Sequence, residues 1–580
     1  MRYRISFLTF ITLISFSTFS QTYITNVTVL DVIKQKLVPA QTVMIKDNII
    51  ANIQLSKKIK IPANATTIDG TGKFLMPGLT DAHVHFFQSG GLYTRPDAID
   101  LRKDKPYDKE IEWVHHNMED FLRRYLQCGI TSVIDVGDTY SFLQQRDSFQ
   151  NKNYAPSIYM TGPLLTSYEP GVFKNLKNNE PFILVKTPED GIKGVQAELP
   201  FHPDFIKIWY IVSQNKDSVE VSARRFAPIA KAIIDEAHKQ GLKVAVHATE
   251  RITAQLAVES GCDYLVHGVE DEIVNDDFIK LLKSKNVIDC PTLIVEDGYF
   301  KTLGQTMNYS TYDLMNSNPL QIGSIEDLKH LPDTAMIGFY KMRLRMPAVI
   351  NKWHHDDSVR MVNLKKMIDG GVTIAAGTDA GNIGTQHATS LYDELQAMKA
   401  SGLTNWQVIQ TATINGQKIL SKESEYGSIA VGKKADLVLL SANPIDSLSN
   451  ITKIDLVVKS GHVISPDTLI KVTPLSLVEQ QLNAYNARSI DAFLAAYADD
   501  AELYQFPDKL IGKGKDAMRK AYAAVFYSAP NLHCEVKDRI MRGNTIIDYE
   551  TITGIGKNKV DGVSIYQIEN DQIKKVYVIL

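Results

Sequence analysis

Two histidines stand two residues apart in PGLTDAHVH, at His83 and His85, within a short apolar run. In an extended strand that spacing projects both imidazoles from one face, as chelation by a pair of neutral nitrogens requires. An HxH pair alone is weak, because exposed strands carry it by chance. Three further apolar runs end in potential ligands: His247 in KVAVHATE, His267 in YLVHGVE and Asp379 in AAGTDAG. One histidine at the end of a buried strand usually caps a backbone carbonyl. Four histidines and an aspartate at equivalent points of neighbouring strands favour a metal centre.

Lys207 in DFIKIWY is the least usual member. A charged lysine in mid-strand is costly to bury without partners. An ammonium has no lone pair and cannot ligate a metal, whereas carbamylation by carbon dioxide would convert it into an anionic bridging ligand. The alternative is an ion pair with Asp81 or Asp379.

These residues need a scaffold that brings strand ends together. Eight candidate strands alternate with amphipathic helical patterns: GLTDAHVH, ITSVIDVGD, PSIYMTG, FIKIWYI, KVAVHAT, YLVHGV, VIDCPTLIV and VTIAAGTDA. That alternation predicts an α/β fold of parallel βαβ units closed into a (β/α)8 TIM barrel, with its chemistry at the carboxyl ends of the strands. Two long stretches, Ser167 to Asp204 and Glu296 to Met361, interrupt the alternation and are candidate substrate-enclosing elements. Strand-rich segments flank the barrel, and we expect them to join into one small β-sandwich. The expected division is 21–76 and 425–465 for the sandwich, 77–424 for the barrel, 466–477 for a linker and 478–580 for a separate domain.

Composition narrows the partners. A formal net charge of −3 from 63 basic and 66 acidic residues gives no electrostatic reason to propose nucleic acid or an anionic membrane surface. Residues 1–20 carry Arg2 and Arg4 ahead of an apolar run from Ile5 to Phe16, which reads as a signal peptide for export to the periplasm or beyond. The run is shorter than the roughly 20 residues that span a bilayer, so no stable membrane insertion is expected after cleavage. Cys128, Cys262, Cys290 and Cys534 show no metal-binding or redox spacing and are read as buried small hydrophobes.

Together PGLTDAHVH, the FIK strand, VHAT, VHG, AAGTDAG, TATINGQKIL and GSIAVGKKADLVLL resemble the amidohydrolase superfamily, and more narrowly its imidazolonepropionase-like and metal-dependent dipeptidase branch, over roughly Thr22 to Ser465. The resemblance implies two divalent cations, expected to be zinc. His83, His85 and Asp379 would hold one, His247 and His267 the other, and N-carboxylated Lys207 would bridge them. It further implies hydrolysis of a C–N bond in a small amide, peptide or cyclic amide by a metal-bridging hydroxide, with Asp379 as ligand and proton shuttle. An ester or lactone hydrolase using the same metals is the alternative. His387, eight residues past Asp379, is a candidate contact to the substrate carbonyl or a helix-start residue. Tyr210 either lines the pocket or packs the barrel.

From about Val478 the chain resembles the NTF2-like, SnoaL-like α+β family, on LNAYNARSIDAFLAAYADDAELYQFP and GVSIYQIENDQIKKVYVIL. Where isomerases of that family carry a tyrosine and an aspartate, Gln481 and Gln505 or Phe506 stand here. We therefore expect a non-catalytic tail that associates chains into a homo-oligomer or brings a ligand near the barrel, leaving the metal site complete without it.

Overall fold

The structure is a computed structural model that describes residues 21–212, 218–332 and 335–579; the expected signal peptide lies outside them. Among the described residues no helix is long and apolar enough to cross a membrane.

Eight short strands form the barrel: β1 (Leu79–Val84), β2 (Ile130–Asp135), β3 (Ser157–Met160), β4 (Phe205–Trp209), β5 (Lys243–His247), β6 (Tyr264–Val266), β7 (Ile288–Cys290) and β8 (Thr373–Ile374). Parallel ladders join β1 to β2, β2 to β3, and β4 through β8 in order. The chain of β3 breaks at Gly162 and Pro163 and resumes as Leu164–Thr166, which pairs with β4 through Leu165 and Ile208. The last seam, between β8 and β1, is carried by single backbone bonds: Ala82 N to Ala376 O at 2.9 Å and His85 N to Ala380 O at 2.8 Å. All eight strands fall on the runs read from the sequence.

The strands are buried along both faces, as expected where helices cover a parallel sheet. Inside the barrel Ala82, Ile134, Phe205, Ala245, Tyr264 and Ile288 fill the bore. Outside it, amphipathic helices supply the second layer. Tyr107–Gln127 buries Ile111, Val114, Met118, Phe121, Leu122 and Tyr125, an i, i+3, i+4, i+7 stripe.

The flanking segments do combine. Thr22–Asp31, Lys36–Lys46, Ile49–Leu55 and Phe74–Pro77 share one sheet with Leu437–Leu440, Ile454–Lys459 and His462–Ile464. Leu437–Leu440 lies antiparallel to Phe74–Pro77 and so stitches the two halves of the chain together.

The tail is a six-stranded mixed sheet with the helices Pro474–Asn486, Ile490–Ala495 and Lys515–Ser528. Its first helix starts at Pro474, four residues earlier than the expected start of the domain at Val478. Thr473 caps it through a reciprocal capping box with Ser476, and Pro474 takes the first helical position, where a missing N–H costs nothing. All four cysteines are buried and free.

Candidate active site

The ends of β1, β4, β5, β6 and β8 meet at the carboxyl mouth of the barrel. His83 Nε2 lies 3.2 Å from His85 Nε2 and 3.2 Å from Asp379 Oδ1, and His85 Nε2 lies 3.0 Å from the same oxygen. His267 Nε2 is 3.9 Å from Asp379 Oδ2, and the His247 and His267 rings sit 4.5 Å apart. His83, His85 and Asp379 thus form a three-donor group able to hold a cation. His247, His267 and Lys207 line the same cavity beside them.

The backbone is bent to aim these groups. His267 and Asp379 adopt left-handed conformations, with φ of 75° and 60°. Such φ values in non-glycine residues are strained and persist only where surroundings enforce them. Asp379 N donates to His83 O at 2.7 Å, which ties the segment beyond β8 to the end of β1. Gly377 permits that approach, since a Cβ there would come within 2.6 Å of both His83 N and Cys290 Sγ. Outer contacts orient the rings: His85 Nδ1 reaches Gly137 O at 2.6 Å and His267 Nδ1 reaches Thr292 Oγ1 at 2.7 Å. Each contact faces away from the cluster and leaves Nε2 as the inward donor.

The protonation states suit a cation. Burial holds the imidazoles of His83 and His247 well below the usual histidine range, and lowers His267 to about 4. Burial pushes the Asp379 carboxyl upward, but the surrounding histidines more than offset this and hold it well below the carboxylate range. Neutral nitrogens and an ionised carboxylate are the donors that zinc-like ions take. Lys207 is 1% exposed, and burial pulls its ammonium down to about 7 against the attraction of Asp379. Asp81 is not its ion-pair partner. That carboxylate is engaged by Thr378, accepting from Oγ1 at 2.8 Å and from N at 3.1 Å.

Neither candidate substrate contact lines the cavity: His387 departs from both of its readings, and Tyr210 takes the packing one. His387 is fully buried away from the cavity, packed against Phe86 and Phe121. Both its ring nitrogens are engaged, one 2.8 Å from Gln88 O and the other 3.1 Å from the Tyr125 hydroxyl. It is also not a helix-start residue, because the next helix begins at Ser390. Tyr210 points out of the barrel, packs on Phe226 and donates to Ala223 O at 2.5 Å. We expect His387→Ala to lose about 2–4 kcal/mol of stability with its metal content unchanged, as for a truncated core ring that also leaves a hydrogen-bond partner unpaired. Thermal melts beside metal analysis check this. An unchanged melt with lost activity would return His387 to the substrate.

Most of the cavity wall carries no mark in the local sequence. The cavity, of about 370 Å³, has an apolar side of Phe87, Phe173, Phe182 and Trp209 and a polar side that includes Arg95, Glu296, Tyr299 and Asn382. Trp209 was within reach: it lies two residues beyond Lys207 on the same strand and therefore on the same face. Phe173 and Phe182 come from the first interrupting stretch, Glu296 and Tyr299 from the second. Arg95 pairs with Asp97 through two bonds, and its remaining terminal nitrogen donates to the Tyr299 hydroxyl at 2.8 Å and to Asn382 Oδ1 at 2.5 Å. Asn382 Nδ2 in turn donates to Asp379 O at 3.1 Å. Nothing in the local spacing links residues 95, 299 and 382.

The chain is thus a (β/α)8 barrel with a flanking sheet and, at its carboxyl mouth, a histidine–aspartate group able to hold a cation. Comparison with known proteins makes the assignment particular. The amidohydrolase family matches residues 74–464 and a SnoaL-like domain matches residues 478–576, and the chain belongs to the amidohydrolase family. An imidazolonepropionase from Geobacillus sp. (strain WCH70) is 26% identical over 442 residues, covering 69% of this chain and 83% of that protein. An enamidase from Eubacterium barkeri is 25% identical over 247 residues, 40% of this chain and 53% of the enzyme. Among solved structures, a Xaa-Pro dipeptidase with bound methionine in its active site superposes with a TM-score of 0.58 at 22% identity, covering 77% of this chain and all of that one. The ochratoxinase of A. niger gives 0.59 at 18% identity, over 78% and 96%. These two structures support the fold. The chain is thus a hydrolase of a family whose members act on C–N bonds.

Proposed function

We propose that the protein is an exported dipeptidase-like amidohydrolase that uses two divalent cations, in the first instance zinc, to cleave the amide of a small substrate with an apolar or cyclic group next to the scissile bond. The convergence of His83, His85 and Asp379 within about 3 Å of one another, beneath a small cavity with one aromatic wall, carries this reading.

His83, His85 and Asp379 would hold one cation, and His247 with His267 the second. Lys207 would bridge them after its neutral amine adds carbon dioxide and releases a proton, giving a carbamate anion. An amine lowered to about 7 supplies the nucleophile for that addition near neutral pH. When bound, such ions lower the pKa of water and polarise a carbonyl. Asp379 accepts the proton of the attacking water and returns it to the departing amine, so bond cleavage leaves a carboxylic acid and a free amine. Phe182 and Trp209, with ring centroids 4.9 Å apart, supply a flat apolar surface. Arg95 is already charge-paired by Asp97, so its part is to hold Tyr299 and Asn382 facing the substrate. Export rests on the residue pattern of positions 1–20.

Zinc-loaded protein presented with prolyl and aromatic dipeptides, N-acyl amino acids, aryl esters and lactones should turn over the amides. Hydrolysis of lactones or esters with no amide cleaved would overturn this reading in favour of the ester or lactone alternative.

A further inference from the structure

The tail does not stand apart from the barrel. Leu314 and Ile322, both from the second interrupting stretch, are buried in one apolar cluster with Val478, Phe493, Tyr497 and Phe526 of the tail. Contact is closest at the helix Pro319–Glu326. Asn483 Nδ2 of the tail donates to Pro319 O at 2.7 Å, and a Cβ at Gly323 would come 2.4 Å from Glu479 Oε1. Gln321 and Ser324, three apart and on another face of that helix, turn to the loop that follows the metal-bearing strand β1. Gln321 Nε2 donates to Ser89 O, and Leu92 N donates to Ser324 Oγ at 3.2 Å. Gly90 N donates to Gly381 O at 2.7 Å, so the same loop also braces the segment just beyond Asp379. Gln88, at its start, lines the cavity.

We propose that the SnoaL-like domain sets the geometry of the active site by holding the helix Pro319–Glu326, with Gln321 as the positioning residue that passes the constraint to the loop after His85. Gln481, at the place where isomerase relatives carry a tyrosine, is spent inside the tail: it bonds the hydroxyls of Tyr497 and Tyr566, at 3.2 and 3.1 Å, among packed aromatic rings. A tail so placed would not be removable without effect on the barrel, since its loss would uncover Leu314 and Ile322. The inference rests on the cavity at the barrel mouth being the active site.

The test uses the full chain and does not depend on knowing the substrate. In Asn483→Leu, hydrogen exchange at the Leu92 amide should rise about tenfold, the effect of losing one buried hydrogen bond on a local opening equilibrium. Metal content should stay at the parent's value. Gln321→Met should raise the same exchange, and the double variant should be no worse than the stronger single one if both lie on one path. Asn483→Asp keeps the shape, loses the donor to Pro319 O and serves should leucine disrupt packing. Unchanged exchange at Leu92 in both Asn483 variants, or strictly additive effects, would overturn the proposal. Loss of metal in the parent protein would instead count against the metal centre.

Discussion

Asp379→Asn is expected to fold and keep part of its metal while turning over substrate about a thousandfold more slowly, within the range that removal of a general base produces. The carboxylate sits where it can serve both purposes, with Oδ1 at 3.2 and 3.0 Å from His83 and His85 and Oδ2 toward His267. Asparagine preserves the shape and one oxygen donor but cannot take a proton. The backbone at this position should tolerate the change, because φ of 60° is a conformation that asparagine adopts more readily than most residues. A thousandfold loss corresponds to about 4 kcal/mol of transition-state stabilisation. Steady-state kinetics beside metal analysis measure it. A variant within a few-fold of the parent would remove Asp379 from the role of base.

Lys207→Ala has the second large effect. In the proposed two-cation site, loss of the carbamate would leave the second cation only His247 and His267 from this chain, too few to retain it against dialysis. The variant should hold close to one ion per chain and lose most activity. Short carboxylates such as acetate or propionate should restore part of it by entering the space the side chain leaves. Retention of both ions in Lys207→Ala would show that the lysine is only a buried amine.

How much of this was legible in the sequence depends on the length scale of the signal. Each barrel strand is a short apolar run of period two or continuous burial, and the candidate site residues other than mid-strand Lys207 sit at or just past the run's carboxyl end, so strand and candidate donor are legible together. His83 and His85 illustrate this: their spacing gave their shared face, and the fold supplied only the partners. For Tyr210 the same rule decides between its two readings in favour of packing. Strand alternation puts residue 209 on the Lys207 face and residue 210 on the opposite one, where it meets Phe226. The place of His387 is not legible, because chain distance from Asp379 says nothing about which way a loop turns; Phe86, Phe121 and Tyr125 capture the ring from sequence positions far away. The Arg95, Tyr299 and Asn382 network spans residues 95 to 382 and exists only through tertiary contact. The tail's hold on the helix Pro319–Glu326 was hidden for the same reason, since neither segment carries a local mark of its partner.

The most direct measurement of the central claim is the count of divalent ions per chain in active protein prepared without chelator, by inductively coupled plasma mass spectrometry. The donor set His83, His85, His247, His267, Asp379 and Lys207 predicts a value close to two. A fully active preparation holding a single ion per chain would contradict the bridged two-metal site.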